Sequence, residues 1–526
     1  MKRKDMEPVA MPAKTTRKKG PGGSTYIYLT TRAYRDAAGR PTSDEAMIGR
    51  LADDGEGLIP NQRYFEFFPD ARPAPSSVAS LGASGALLVL AKRLGITRLL
   101  FESFPNKGKQ MLAAAAFMAD CGCVMAHIGD WCDESVAPVR LSSQGASELF
   151  ATVGPAGRMA FFKGWIAQIT EDDYIAYDVT SLSTYSGGIE DAEWGHNRDG
   201  DDLCQVNLGM FLGEQSRLPA YYATYQGSVL DKAHLPLIMD SALALGIKRV
   251  RFVFDRGFVT SENLAYVDKK HLSFITALPS SLISYKELVD TAAASKIASS
   301  RNALLIDGLY ALALPKEVLG TTLIAHVFYS PAKRALEEEA FYARVGKLES
   351  ELESMSAARG LPKKYRDLFT VKPTETAAVA SFARDFDKID AKLARAGFFV
   401  LATNDSRLDS ANVLGTYRRK DAIEKAFSGM KNQLDLKRMR THSGQTTDGK
   451  LFCGFIALIL HSAIREALGS SKDTSAMPVG TALRELRKLK RIIYPDGSVQ
   501  HTAVTKTQRT ILGSLGIDPE ELLALK

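Results

Sequence analysis

The sequence predicts an α/β protein, and three observations carry that expectation. From about Tyr174 to Pro279, short apolar runs of strand composition alternate with amphipathic helical stretches. Two of the runs, YIAYD and VRFVFD, deliver an aspartate, Asp178 and Asp255, at their polar ends. A third carboxylate, Glu424, lies on a helical stretch that follows a further strand-like run, FFVLATND.

Composition bounds the class. At 526 residues the chain exceeds what one core usually holds, so roughly two to four domains are expected. Apolar content of 45% and charged content of 24% fit a soluble globular protein. No uninterrupted apolar run reaches about 18 residues, so no membrane span is predicted, and Phe452 to Leu460 reads as a core helix. The basic N-terminus has no apolar stretch or small-residue cleavage site, which excludes a signal peptide and predicts a cytoplasmic protein. Five cysteines do not make a disulfide framework. Cys121, Cys123, Cys132 and His127 are close in sequence, but Cys121 and Cys123 would point nearly opposite ways on a helix, which argues against zinc. A net charge of +7 and a pI of about 8.9 are compatible with nucleic acid without requiring it.

In chain order, residues 1–24 are basic and Pro/Gly-rich and read as a disordered arm. Residues 25–75 read as a small strand unit, with TYIYLTT and a second strand near Ala46 to Leu51 separated by turns. Residues 76–165 take a helical period and read as a helical bundle, with Lys92, Arg93, Arg98, Lys107 and Lys109 available for a basic surface; a DNA-binding region and a plain structural bundle both fit. Over 170–283 the order is three strands, helix, strand, helix, strand, which is that of a ribonuclease-H-like core. Residues 284–396 break that order with two strand runs and a long charged helix, and read as an inserted subdomain. Residues 397–470 resume the core. Residues 471–526 form a basic C-terminal region, with five cations between Arg484 and Arg491.

Tyr417 to Lys431 reads as one helix with Ile423, Phe427, Met430 and Leu434 on its apolar face. Steps of three, four and seven residues set Tyr417, Lys420, Glu424 and Lys431 in a stripe along the edge of that face. Alone, this is also the pattern of a surface helix with i,i+4 charge pairs. Asp421 would lie about 150° from the face centre and Glu424 about 90°, so Glu424 is the better third carboxylate. Three carboxylates suit two Mg²⁺ ions, because oxygen ligands match a hard cation and leave positions open for water and phosphate. Two such ions, roughly 3.5–4 Å apart, activate an attacking oxygen and stabilise a leaving one.

On these residues the chain resembles the DDE transposases of bacterial insertion sequences, in the group with a Tyr-x2-Arg-x3-Glu-x6-Lys signature. It matches at Tyr417, Glu424 and Lys431 and has Lys420 at the Arg position, which keeps the charge but loses the bidentate fork. The segments EWGHNRDGDDLCQVNLG, LPAYYATYQGSVLD, VFDRGFVTSENL and FFVLATND resemble the corresponding blocks, and the likeness runs from about Tyr26 to Leu468. The resemblance implies a ribonuclease-H-like core that cuts double-stranded DNA at terminal inverted repeats and joins a 3′-hydroxyl to target DNA. It implies that Asp178, Asp255 and Glu424 hold two Mg²⁺ or Mn²⁺ ions, and that Tyr417, Lys420 and Lys431 contact DNA phosphates. It further implies that the insertion over 284–396 is β-rich, that an N-terminal region recognises the repeats and that a homodimer synapses two ends, with no membrane partner. A structure-specific nuclease and a non-catalytic DNA-binding descendant remain as alternatives.

Overall fold

The computed structural model describes residues 8–20, 23–71, 74–169, 174–195, 197–247, 251–355, 361–373, 379–495 and 497–525. The chain divides into two compact units. One comprises Met1–Phe101, Asn106–Ser147 and Ile464–Lys526, and the other Glu102–Pro105 and Glu148–Ala463.

In the first unit, β1 (Thr15–Lys19), β2 (Thr25–Arg35), β3 (Pro41–Leu51) and β4 (Leu58–Pro60) form an antiparallel sheet in chain order, followed by α1 (Gln62–Phe67). Strand β1 corrects the expectation of a disordered arm over 1–24; residues 1–7, 21 and 22 of that stretch lie outside the described residues. Its lysines are a charged edge rather than a solvated tail: Lys18 pairs with Glu45 at 2.5 Å and lies over the Tyr28 ring. Ile27, Ile48, Leu58, Tyr64 and Phe65 form the core beneath.

Next come β5 (Ser77–Ser80), α2 (Gly82–Arg93), α3 (Ile96–Ser103), α4 (Gly108–Cys121), α5 (Ile128–Asp133), α6 (Ser143–Ala151) and α7 (Pro155–Ile169). Strand β5 pairs with β16 (Lys490–Ile493) and not with its sequence neighbours.

The second unit carries an eight-stranded sheet. Its first strands are β6 (Tyr174–Ser183), β7 (Gln205–Gly213) and β8 (Pro219–Gln226), an antiparallel meander. Then follow α8 (Asp231–Ala244), β9 (Arg251–Phe254), α9 (Ser261–Lys269) and β10 (Ser273–Ala277), with β9 parallel to both β6 and β10. The spatial order β8-β7-β6-β9-β10 is the ribonuclease-H-like one that the element order predicts.

Beyond β10 the chain forms α10 (Ile283–Ala294), β11 (Tyr310–Val318), β12 (Thr321–Tyr329), α11 (Pro331–Glu353), α12 (Lys363–Arg366), β13 (Phe369–Pro373), β14 (Val379–Arg384) and α13 (Phe386–Leu393). Here the expectation of a β-rich insertion is corrected. Strands β11 and β12 extend the core sheet through β15 (Phe398–Thr403), and what projects is mostly helix with the β13–β14 pair. The reason is apolar: Leu323, Ala325, Val327 and Phe328 of β12 are buried against the core, while Val345, Leu348, Leu352, Tyr365, Leu368, Phe369, Ile389 and Leu393 make a small core of their own.

The organising helix is interrupted. It comprises α14 (Ser410–Arg419), α15 (Asp421–Ser428) and a π-turn over Gly429–Gln433. At Lys420 the hydrogen bonds shorten to three residues, Lys420 N–H to Tyr417 O and Ile423 N–H to Lys420 O. The predicted apolar face holds: Ile423, Phe427, Met430 and Leu434 are all buried. Helix α16 (Gly444–Ser470) follows. It is long and apolar enough to cross a membrane, but most of its apolar window is buried, as a core helix requires. The chain ends with α17 (Val479–Leu486), β16, β17 (Val499–His501), α18 (Lys506–Ser514) and α19 (Pro519–Leu523). Helices α17 and α19 pack on α2.

Candidate active site

Sheet register brings the two aspartates together. Strands β6 and β9 pair with Tyr174 opposite Arg251, Ile175 opposite Phe252 and Ala176 opposite Val253. Two residues further on, the same offset sets Asp178 beside Asp255, on strands that pack about 4.8 Å apart. Asp178 is not the end of its strand, as the polar step after it predicts: β6 continues to Ser183, paired with β7 and carrying the buried Thr180, Ser181 and Ser183. It is β9 that stops, at Phe254, so Asp178 stands where its neighbour leaves the sheet. Asp255 caps the turn Arg256–Phe258, and its side chain accepts from the Arg256 N–H at 2.8 Å.

Helices α14 and α15 supply the rest. Lys420 Nζ lies 3.7 Å from Asp178 Oδ2, 3.7 Å from Asp255 Oδ2 and 3.7 Å from Glu424 Oε1. The side chains grade from 6% exposed at Lys420 and 16% at Asp178 to 44% at Asp255 and 64% at Glu424, so the cluster opens to solvent on the Glu424 side. Burial raises the Asp178 pKa, against the pull of Lys420, the Val179 N–H and Arg198. Tyr417 donates its hydroxyl to Asp255 Oδ1 at 3.2 Å, and burial followed by that carboxylate raises the phenol pKa.

An all-carboxylate donor set around a buried ammonium fits a divalent cation in chemistry and charge. As they stand, the three surround an ammonium rather than meet at ligand distance. Among the described residues no group of three His, Cys, Asp or Glu side chains is close enough to hold a metal. Glu424, the most exposed, has the freedom to close that gap.

Of the other predicted residues, Lys431 is paired with Asp199 at 2.7 Å and only 11% exposed. Two arginines escaped the sequence reading. Arg198 lies 3.8 Å from Asp178 and also pairs with Asp231. Arg419 pairs with the buried Glu214 just beyond β7, fastening the end of α14 beside Lys420. A charged residue in a buried turn was the available signal for that pair. Asp405 follows β15, whose antiparallel pairing with β10 puts it at the opposite sheet edge, and Arg407 holds it with two 2.8 Å bonds. His442 is exposed. The cysteines near His127 form no metal cluster among the described residues, and burial pushes the Cys121 thiol up to about 12.

The family profile described as the transposase DDE domain matches residues 170–460, more than half of the chain and all three carboxylates. The chain belongs to this family. A DDE transposase domain implies phosphoryl-transfer nuclease chemistry, and DDE transposases generally use divalent metals. Seven chains among solved structures match. One is a piggyBac transposase in a synaptic complex with hairpin DNA, 10% identical, with a TM-score of 0.32, covering 61% of this chain and 54% of that one. The chain therefore spans about half the length of that protein. No curated protein matches it.

Proposed function

We propose that this chain is the transposase of a bacterial insertion sequence, cutting double-stranded DNA at terminal inverted repeats and joining the freed 3′-hydroxyl to target DNA. The observation that carries the reading is the convergence of Asp178, Asp255 and Glu424 on a single buried ammonium, that of Lys420. In this reading the three carboxylates hold two Mg²⁺ or Mn²⁺ ions. Such ions would supply an activated water and charge stabilisation at the leaving oxygen.

The chain's own groups prepare that chemistry. The Asp255 carboxylate is oriented by the Tyr417 hydroxyl and the Arg256 N–H. Lys420 compensates the carboxylates and, as a point charge on a flexible stem, can turn to a DNA phosphate where an arginine fork would need a planar match. Lys431, held by Asp199, adds a second cation about two helical turns beyond Glu424. The spacing Tyr417, Lys420, Glu424, Lys431 supports membership of the signature group. Repeat recognition by the N-terminal region, a homodimeric synapse and a cytoplasmic location complete the proposal.

The test is strand cleavage of a labelled duplex carrying the end of the element, in Mg²⁺ and in EDTA, with wild type beside Glu424→Gln. Nicking at the repeat boundary that needs metal and falls by at least a thousandfold in the variant is expected. Cleavage that survives Glu424→Gln would displace the third carboxylate, and metal-independent or absent cleavage would remove the reading.

A further inference from the structure

Hairpin β2–β3 outruns its own sheet. Strand β1 pairs with β2 only between Thr25 and Leu29, and β4 pairs with β3 only between Gly49 and Leu51. Beyond Leu29 and Ala46 the two strands go on alone, paired from Thr30 opposite Glu45 to Arg35 opposite Pro41. Residues 31–41 are exposed on both faces, so none of them serves the core of Ile27, Ile48 and Leu58. At about 3.4 Å per residue this two-stranded part is roughly 20 Å long. Its tip is held in shape: the Asp36 carboxylate accepts from the Ala38 and Arg40 N–H groups at 2.9 Å, and Arg35 donates to the Gly39 carbonyl at 2.7 Å. One face sets Arg32 opposite Asp44 and Tyr34 opposite Thr42, with the Arg32 guanidinium over the Tyr34 ring. Between Lys14 and Arg50 eight lysines and arginines stand against three carboxylates. All three are engaged within the sheet: Asp36 in the turn, Glu45 with Lys18 and Thr16, and Asp44 with the Tyr34 hydroxyl.

We infer that the β2–β3 ribbon reads double-stranded DNA from the major groove, with the Arg32–Tyr34 face on base edges and the β1 cations at its base on phosphates beside the groove. Charge selects a polyanion, and shape selects its form. A major groove about 12 Å wide admits a two-stranded ribbon, whereas the major groove of A-form RNA is deep and narrow and excludes one. The residue types suit the two tasks. An arginine fork matches the two acceptors of a guanine edge, and hydroxyls such as those of Tyr34 and Thr42 bond to base edges or phosphates. Arg17 and Lys19, exposed on β1, supply charge without sequence information. A hairpin without a core gains little stability from itself, so its arginines and tyrosine are open to a partner at little cost to the fold. The inference deepens the proposed repeat recognition and rests on that reading of the chain. It assigns recognition to one hairpin of the N-terminal sheet and not to the helices of 76–165.

The test uses the full chain in EDTA and a pool of short DNA duplexes of random sequence, from which the bound fraction is sequenced. The selected duplex is then labelled and titrated by fluorescence anisotropy over a range of salt, beside a scrambled duplex and an RNA duplex of the selected sequence. Wild type is compared with Arg32→Ala/Tyr34→Ala on the ribbon, Arg17→Ala/Lys19→Ala on β1, and a control pair Lys269→Ala/Lys347→Ala on exposed lysines elsewhere. Wild type is expected to enrich one motif, and methylation of guanine N7 within it to block binding. The ribbon pair is expected to bind the selected duplex at least about tenfold more weakly while its affinity for the scrambled one stays within about threefold. The β1 pair is expected to weaken both alike and to flatten the logarithmic salt slope by about 2. The control pair is expected to match wild type. If the ribbon pair melts early, Arg32→Lys keeps the charge and loses the fork, and is expected to lower the preference with the salt slope unchanged. A ribbon pair that keeps the full preference overturns the inference. So do a wild type that enriches no motif, one that binds the RNA duplex as tightly, and interference by methylation at adenine N3 of the minor groove alone. Metal-dependent nicking of an element end, run separately on wild type, tests the cutting reading. A selective ribbon without nicking removes that reading and leaves this one, and nicking with an unselective ribbon does the reverse.

Discussion

An ammonium 3.7 Å from each of three carboxylates offsets charges that would otherwise repel at close range. Lys420→Met removes that cation, and breaking a largely buried ion pair is costly. The chelator-treated variant should lose about 2 kcal/mol, read as a lower urea midpoint. Added Mn²⁺ should restore more stability to the variant than to wild type; equal gains would mean that the carboxylates do not share a cation site. The stripe containing Tyr417, Lys420, Glu424 and Lys431 was legible because helical spacing is regular. Which way the long lysine bends was not, because its stem has several rotatable bonds and two of its three partners, Asp178 and Asp255, lie more than 160 residues away. The same distance hid the Tyr417–Asp255 bond, and Arg198 reaches Asp178 from the loop after β6: a spacing rule acts within one element, and these contacts link different ones.

At the scale of elements, α14 is fastened at both ends. At its end the Arg419–Glu214 pair is buried on the glutamate side. Arg419→Ala leaves that carboxylate uncompensated and should cost about 3 kcal/mol. It should also lower the nicking rate while DNA affinity in EDTA changes little; an unchanged rate would make the pair merely structural. At its start, the buried His326 of β12 shares a 2.9 Å hydrogen bond with Ser410, and burial lowers its pKa to about 4. The folded value lies below the unfolded one, so this contribution to stability is whole above about pH 6.5 and is lost as pH falls toward 4. At pH 5 the loss should be about 2 kcal/mol, and His326→Gln should flatten the decline between urea melts at pH 7 and pH 5. The predicted continuous helix missed the break at Lys420 because no proline or glycine marks it. The π-turn had such a mark in Gly429, where Leu434 N–H reaches back five residues to Gly429 O.

Across the whole molecule, the core order was readable because each strand and helix of 174–277 has its own period. The placement of β11 and β12 was not, since strand composition does not say which sheet a strand joins. Nor could sequence show that Ser77–Ser80 pairs with Lys490–Ile493, more than 400 residues away. That pairing makes the basic C-terminal region part of the helical unit. Truncation after Ser471 would strip α17 and α19 from α2, whose Ala83, Ala86, Leu87 and Leu90 are buried. Hydrogen exchange in α2 and α4 should then speed up by orders of magnitude, and unchanged protection would show the C-terminal region to be dispensable for that fold.

The central claim, that Asp178, Asp255 and Glu424 form one divalent-metal site, is tested most directly by Fe²⁺-directed cleavage of the polypeptide. Bound Fe²⁺ with a reductant and oxygen cuts the chain near its ligands. The account predicts cuts around residues 178, 255 and 424 together, suppressed by excess Mg²⁺ and weakened at all three places by Glu424→Gln. Cuts that omit 424, or that persist unchanged in the variant, would contradict it.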